Sequence, residues 1–427
     1  MQRVFNKIRN SQYIQNFTAL AGSEIVAQVI LIGVTPILTR VYSPAEFGQY
    51  EFFKTSALLL VVIGFLNYDA SIYSSKNDKE LINSVLLSLF VLFAICTLSS
   101  IGLFIYNDFF VQVFHCKIKN GWFWSLPVYA FFAALTNLML VALTKDGLFK
   151  LISSIKIIIS ILVASTQLFF GWLNWGYWGL VYSTIMVQMI AFILYFKTFY
   201  VQYKGDFKDF SINNSIIIMK TYWRLPFIAF PGNFLNNLVQ SLPVFFLGRV
   251  DSQTLGYYGL AQRIIGFPLK FVTAAVQRLY VKELTDEIEK TGIGVKAYRK
   301  NLKIYGIIAF VLILGLLTFT KTLLPILFGN EWLLAAPYVI LLGILFSVRF
   351  IFGGLSFVMI LGRAPIIDIY WQVYFSVVMT LSFLVCEYLD ASPVITILTY
   401  CVCGIVSYLI YGLISYNISK SKHLLSP

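Results

Sequence analysis

Charge is scarce in this chain. Only 12% of its 427 residues are Asp, Glu, Lys or Arg, against roughly 25% in an ordinary soluble domain. Hydrophobic residues make up 59%, so polar side chains cannot cover the surface, and a water-soluble domain is excluded. Acidic residues are scarcer still, 19 against 32 basic ones. The resulting net charge of +13 does not call for a nucleic-acid partner, because the bases lie mostly in short loops suited to anionic membrane lipids. Histidine is almost missing: His115 and His423 fall in a loop and a tail, so neither a catalytic triad nor a metal site is expected. A membrane acyl- or glycosyltransferase finds no catalytic residues to nominate. Of the five cysteines, Cys96, Cys386, Cys401 and Cys403 sit inside apolar runs and only Cys116 does not. They are read as small buried hydrophobes, not as a disulfide framework or a metal site.

Long apolar runs are abundant. A membrane-spanning helix needs about 20 mainly apolar residues, and twelve windows qualify, near 17–39, 52–74, 82–106, 121–143, 151–171, 175–197, 222–248, 256–280, 302–324, 333–361, 365–387 and 393–416. The seventh and eighth are weak because they carry many polar residues. Met1 to Asn16 is polar and basic, and no small-residue cleavage site follows, so the first window is expected to remain as a membrane helix. Counted over alternating loops, 22 of the 32 Lys and Arg fall on one side and 6 on the other. Cytoplasmic loops are enriched in these residues, so both termini are expected in the cytoplasm. Trp122, Trp124, Trp172, Trp175 and Trp178 cluster at window ends, as interfacial anchors do.

A short signature occurs twice. Leu38-Thr-Arg40-Val-Tyr-Ser43-Pro-Ala-Glu-Phe-Gly48 recurs, one residue shorter, as Leu247-Gly-Arg249-Val-Asp-Ser252-Gln-Thr-Leu-Gly256. Each copy lies between the first and second windows of its half. The polar stretch from Tyr200 to Thr221 separates six windows from six, giving expected domains 1–204 and 205–427. Because six is even, the halves cross the membrane in the same sense, as parallel repeats. On the register of Arg40 and Arg249, Glu24 and Gln28 fall opposite Asn233 and Asn237. Leu143-Thr-Lys145 and Leu361-Gly-Arg363 also end corresponding windows.

Polar groups in the hydrocarbon are costly and mark function by default. In the eighth window Arg263, Lys270 and Gln277 are spaced by seven and share one face of a regular helix, a basic stripe down a cavity wall. The alternative is that Arg263 and Lys270 snorkel to opposite interfaces. The seventh window stacks Asn233, Asn236, Asn237 and Gln240 among Pro226, Pro231-Gly232 and Pro243. Such a helix either lines a cavity with amides that bind hydroxyl-rich ligands or ties itself to its neighbours. Arg349 lies near the middle of the tenth window, too deep to snorkel easily. Lys156, close to a helix end, is expected to snorkel. Glu24 and Asp69 are the deepest acids and are candidates either to pair with a cation or to carry a coupling H+ or Na+; Asp69 also fits a plain interfacial position.

At Pro36-Ile-Leu-Thr39-Arg40-Val-Tyr42-Ser43-Pro44-Ala-Glu-Phe47-Gly48, and again at Leu327-Phe328-Gly329 with Trp332, the chain resembles the Wzx-type polysaccharide biosynthesis (O-antigen flippase) family. That family belongs to the multidrug/oligosaccharidyl-lipid/polysaccharide exporter superfamily. The resemblance implies an all-α integral membrane fold of twelve transmembrane helices, two parallel six-helix repeats in a V-shaped, MATE-like arrangement. It implies a flippase in the bacterial inner membrane, with no cofactor, moving undecaprenyl-diphosphate-linked oligosaccharide to the periplasmic leaflet for O-antigen, capsule or exopolysaccharide. A polysaccharide polymerase and a chain-length regulator are candidate partners. A diphosphate would ask for cations such as Arg263, Lys270 and Arg349, and sugars for amides such as Asn233, Asn237, Gln240, Gln28 and Gln277. Arg40 and Arg249, at the outer ends of their windows, are candidates to shape a gate, with Pro36, Pro231, Gly232 and Pro243 as bending points. A polysaccharide polymerase is disfavoured because the external loops are short. A drug or organic-cation antiporter of the same superfamily is the competing reading, and it would want carboxylates to dominate the interior.

Overall fold

A computed structural model describes residues 12–105, 122–205, 208, 211–361 and 365–421. His115, His423, Cys116, Arg363 and the bases of the first eleven residues lie outside the described residues. Most of the described part of each of the twelve windows is helical. The helices are α1 (Gln12–Val41), α2 (Pro44–Gly64), α3 (Ser71–Ser74), α4 (Asp78–Ile105), α5 (Trp122–Lys145), α6 (Phe149–Trp172), α7 (Tyr177–Tyr203) and α8 (Ile212–Thr221). There follow α9 (Phe230–Val250), α10 (Ser252–Ala261), α11 (Phe267–Thr291), α12 (Val295–Phe328), α13 (Ala336–Leu355), α14 (Phe357–Leu361), α15 (Pro365–Tyr388) and α16 (Pro393–Lys420).

Hydrocarbon offers no partners to the backbone, so helices that satisfy themselves are the natural solution for these runs. Buried hydroxyls follow the same rule: Ser88, Ser153 and Ser415 donate to the carbonyls of Ser84, Phe149 and Tyr411, one turn back. Among the described residues nine helices are long and apolar enough to cross a membrane, or ten if the bent second span is included. The expected twelve is therefore not reached on this criterion. The seventh and eighth windows are helical but too polar, which is the weakness their composition showed.

Three irregularities were not expected. The second span breaks after α2, and the helix resumes at Tyr68–Ser74 bent by 57°. At the break Leu66 and Asn67 adopt φ of 47° and 64°, the left-handed region that Asn tolerates and Leu does so only under strain. Wide π turns interrupt the other two weak windows, at Leu225–Ala229 before α9 and at Gln262–Gly266 between α10 and α11.

The chain forms two compact units. Unit 1 holds residues up to Tyr42 and Gln49–Leu238; unit 2 holds Ser43–Gly48 and Val239 onward. The boundary expected at 204 lies inside unit 1. Residues beyond it stay there because Asn83 accepts from the Ser211 backbone at 3.1 Å and Ile218 packs with Tyr68 and Leu87. Within unit 1, α1 packs along α6 and α5 along α7; within unit 2, α13 packs between α12 and α16.

Candidate functional site

In unit 1 one pair of deep charges is compensated. Lys156 on α6 forms an ion pair with Glu24 on α1, with Tyr195 of α7 close enough to feel the Glu24 charge. The expected snorkelling of Lys156 gives way to a partner across the helix pair, where an ion pair is cheaper than a lone ammonium. Gln28 is half-buried one turn beyond Glu24. Asp69 follows the break in the second span and is half-buried. At the far end of α5 the Lys145 ammonium donates to the Ser75 carbonyl at 2.6 Å. Beyond it, burial pushes the Asp146 carboxyl above its usual range, although the Tyr203 hydroxyl donates to it at 2.6 Å.

Unit 2 leaves its deepest cation open. Arg349 on α13 is exposed and close enough to the buried Tyr400 and Tyr408 of α16 to act on them electrostatically. Among the described residues no carboxylate pairs with it. Nearer the ends of unit 2 charges are paired: Arg249 binds Glu387 at 2.7 Å and Lys300 binds Glu283 at 2.6 Å. The Lys300 hydrogen bond holds the Glu283 carboxyl below its usual range.

The amide face is real as geometry. Asn233, Asn236, Asn237 and Gln240 are all exposed along α9. Asn237 donates to the Asn233 carbonyl at 2.8 Å, and Asn233 donates to the Asn67 side chain at 3.2 Å. Asn67 thus joins the amide face to the broken second span. Its sequence signal is faint, an Asn two residues before Asp69-Ala70-Ser71 in an otherwise apolar stretch, of the type that tolerates left-handed backbone. Pro231 and Gly232 lie in the first turn of α9 and Pro243 in its interior, while Pro36 lies inside α1.

The basic stripe is divided. The π turn contains Arg263, so regular seven-residue spacing holds only for Lys270 and Gln277 on α11; the Lys270 side chain lies outside the described residues. The Arg263 guanidinium lies 5.2 Å over the ring of Phe47, which turns it toward the signature.

The duplicated signature starts two helices and brings them together. Ser43 and Glu46 form a capping box, with the Ser43 N–H donating to Glu46 at 2.8 Å. In the second copy Asp251 caps its helix by accepting from the Thr254 N–H at 2.9 Å. Aligned on these caps, Pro44 corresponds to Ser252 and Gly48 to Gly256, so the residue without a counterpart is Tyr42. A Cβ at Gly48 would fall 1.7 Å from the Ser252 carbonyl oxygen, and one at Gly256 would fall 1.9 Å from that of Pro44. Only glycine permits this reciprocal approach. Tyr42 is held in unit 1, its hydroxyl donating to the Gln167 carbonyl at 2.7 Å and lying close to Gly179, and its ring against Gly171.

A multi-pass helical membrane protein with two such units belongs to a recognisable class of fold. The structure is similar to a multidrug resistance MATE family transporter of the MOP superfamily, with TM-score 0.60 and 13% identity over 98% of this chain and 100% of that one. It is also similar to the lipid II flippase MurJ, with TM-score 0.69 and 13% identity over 95% of this chain and 87% of that one. At such identities the likeness concerns the fold. The chain itself belongs to the polysaccharide biosynthesis protein family, whose model matches residues 37–337. It is 22% identical over 194 residues to the teichuronic acid biosynthesis protein TuaB of Bacillus subtilis (strain 168), a match covering 45% of this chain and 39% of that relative. The two fold neighbours are described as a transporter and a flippase.

Proposed function

We propose that the protein moves a lipid-diphosphate-linked oligosaccharide across the bacterial inner membrane from the cytoplasmic leaflet to the periplasmic one, as a step in making a surface polysaccharide. One observation carries the reading: Arg349, an uncompensated guanidinium midway along an apolar helix, flanked by Tyr400 and Tyr408. A permanent cation with a planar fork suits a diphosphate, and neighbouring aromatic rings suit a sugar. Family membership supports the polysaccharide context. Lys270 and Arg263 are further candidate cations, Gln277 and Gln28 further polar groups, and the exposed amides of α9 are candidate hydrogen-bond partners for sugar hydroxyls. Undecaprenyl diphosphate is the expected carrier, and O-antigen, capsule or exopolysaccharide the expected product.

An organic-cation exporter would expose a lone carboxylate at depth, yet Glu24 is already neutralised by Lys156. Glu24 and Asp69 remain the candidates for H+ or Na+ coupling. Deleting the protein should abolish surface polymer while lipid-linked units accumulate on the cytoplasmic side. Re-expression of the wild-type chain should restore display, whereas Arg349→Ala at equal protein level should not. Unchanged polymer with altered export of cationic dyes would reverse the assignment.

A further inference from the structure

Within unit 2 the start of α12 and the end of α16 are tied into one platform. The Gly294 N–H donates to the Ser419 carbonyl at 3.0 Å, satisfying an acceptor that the last turn of α16 would otherwise leave open. The Tyr298 hydroxyl donates to the Gly412 carbonyl at 3.0 Å. On this platform two cations flank Tyr416. Arg299 donates to the Tyr416 oxygen through Nε at 2.9 Å and Nη2 at 2.5 Å, and the Lys420 ammonium lies 4.1 Å from the centroid of the same ring. A guanidinium carries five N–H donors, so Arg299 is oriented by two of them while its Nη1 group stays available. The acids of α11 that reach α12 are occupied: Glu283 holds Lys300 at 2.6 Å and Asn301 at 2.9 Å, and Glu287 accepts the N–H groups of Lys296 and Ala297. Among the described residues no carboxylate pairs with Lys296, Arg299, Lys303 or Lys420. Two cations drawn to one ring repel each other, and an anion between them would relieve that repulsion.

What lies along the helices from this cluster identifies the anion. Lys296, Arg299, Lys300 and Lys303 share one face of α12 through their spacing of three and four, and all are exposed. One turn on, the same face becomes Ile307, Phe310 and Leu314, exposed as well. The face of α16 that carries Lys420 and Tyr416 runs on through the exposed Leu413, Leu409 and Val406. A face that changes from bases to bulky exposed hydrocarbon within one turn marks the level where lipid headgroups give way to acyl chains. We propose that Arg299, Tyr416 and Lys420 form a binding site for the phosphodiester of an anionic phospholipid, whose acyl chains lie along the apolar continuations of α12 and α16. The Nη1 group of Arg299, the Lys420 ammonium and the Tyr416 hydroxyl proton are its donors to the phosphate oxygens. A zwitterionic headgroup brings a cation of its own, which the basic rim repels, so the site selects lipids with net negative charge. The inference goes beyond the transport reading and does not depend on it: Arg349 is assigned to the cargo, and this cluster to a resident lipid.

The test uses the full chain with Cys96, Cys116, Cys386, Cys401 and Cys403 replaced by serine and Leu413→Cys carrying a bimane label, reconstituted in dioleoylphosphatidylcholine. Phospholipids with brominated acyl chains quench bimane only from beside it, so quenching reports the lipid at this site. Brominated phosphatidylglycerol should bind about fivefold or more tightly than brominated phosphatidylcholine. Arg299→Gln with Lys420→Gln should bring that ratio to about one, while phosphatidylcholine quenching stays unchanged and shows that the label still faces lipid. Tyr416→Phe keeps both charges but releases the guanidinium, and should at least halve the preference. Equal binding of the two lipids by the unsubstituted cluster would overturn the site, as would a preference that survives the double substitution. A preference lost in the double variant yet intact in Tyr416→Phe would mean diffuse attraction to a basic surface, and would overturn the built site as well. Farnesyl diphosphate should not relieve the quenching; relief would give the cluster to the transported ligand instead of a resident lipid. None of these outcomes bears on Arg349, whose own test is polymer display in cells.

Discussion

The two units treat a deep positive charge in opposite ways. Unit 1 pairs the half-buried Lys156 with Glu24 on a neighbouring helix, whereas unit 2 leaves Arg349 exposed near two buried tyrosines, with no paired carboxylate among the described residues. An ion pair in a membrane helix bundle satisfies itself and asks nothing of a ligand. A lone guanidinium within a membrane helix is tolerated only where something else completes it, whether water in a cavity or an anionic ligand. The contrast shows that charge inside a membrane segment is informative only once its partner is known.

The largest expected effect breaks the receptive side. Arg349→Ala should reduce surface polymer at least tenfold at unchanged membrane protein level, and Arg349→Lys should keep part of the activity because a point charge replaces a bidentate fork; polymer gels with quantified protein would show both. Next comes the compensated side. Glu24→Gln should lower the detergent melting temperature by leaving Lys156 unpaired, and Glu24→Gln with Lys156→Met should recover most of the loss, since removing both charges is cheaper than orphaning one. A smaller effect is expected at Tyr42→Phe, which deletes one buried hydrogen bond to the Gln167 carbonyl and should cost about 1 kcal/mol in chemical or thermal unfolding. Removing Glu387 from its exposed pair with Arg249 should cost less, roughly 0.2–1 kcal/mol.

The smallest effects separate the units by the sign of their pH dependence. Glu283 in unit 2 has a depressed carboxyl. Its contribution is present above the ordinary glutamate range, about pH 4.3, and is lost as pH falls through the depressed value. The advantage of wild type over Glu283→Gln should therefore shrink in acid. Asp146 in unit 1 is raised by burial, so its contribution is full below about pH 3.9 and is lost as pH rises through the folded value. Wild type should lose ground to Asp146→Asn as pH increases. Melting curves at stepped pH would reveal the two opposite slopes, and slopes of the same sign would remove the distinction.

Much of the fold was legible because hydrophobic runs of spanning length have few other fates, and each window proved mainly helical where it is described. Breaks were not legible. A π turn adds a residue to one turn without altering the apolar pattern, so the even spacing of Arg263, Lys270 and Gln277 concealed an interruption at Gln262–Gly266. The bend at Leu66 and Asn67 depends on backbone angles that a Leu is not expected to adopt. Pairings across long separations were equally hidden: Lys156 with Glu24 and Arg249 with Glu387 join residues from distant windows, and only an excess of candidate partners was visible. The repeat was evident as similarity, but not as contact. The dropped residue looked like noise until the helix caps aligned Gly48 with Gly256 and left Tyr42 as the extra one.

That alignment has a further consequence. Gly48 meets Ser252 as Gly256 meets Pro44, which is the contact pattern of an isologous interface, the kind formed by two identical subunits across a two-fold axis. In a true homodimer every substitution appears on both sides of the axis at once. Here the two sides are encoded separately, so Phe47 in one copy has Leu255 as its counterpart in the other, and it is the aromatic residue that engages an arginine. A fused dimer can thus carry a one-sided fastening that an unfused one could not.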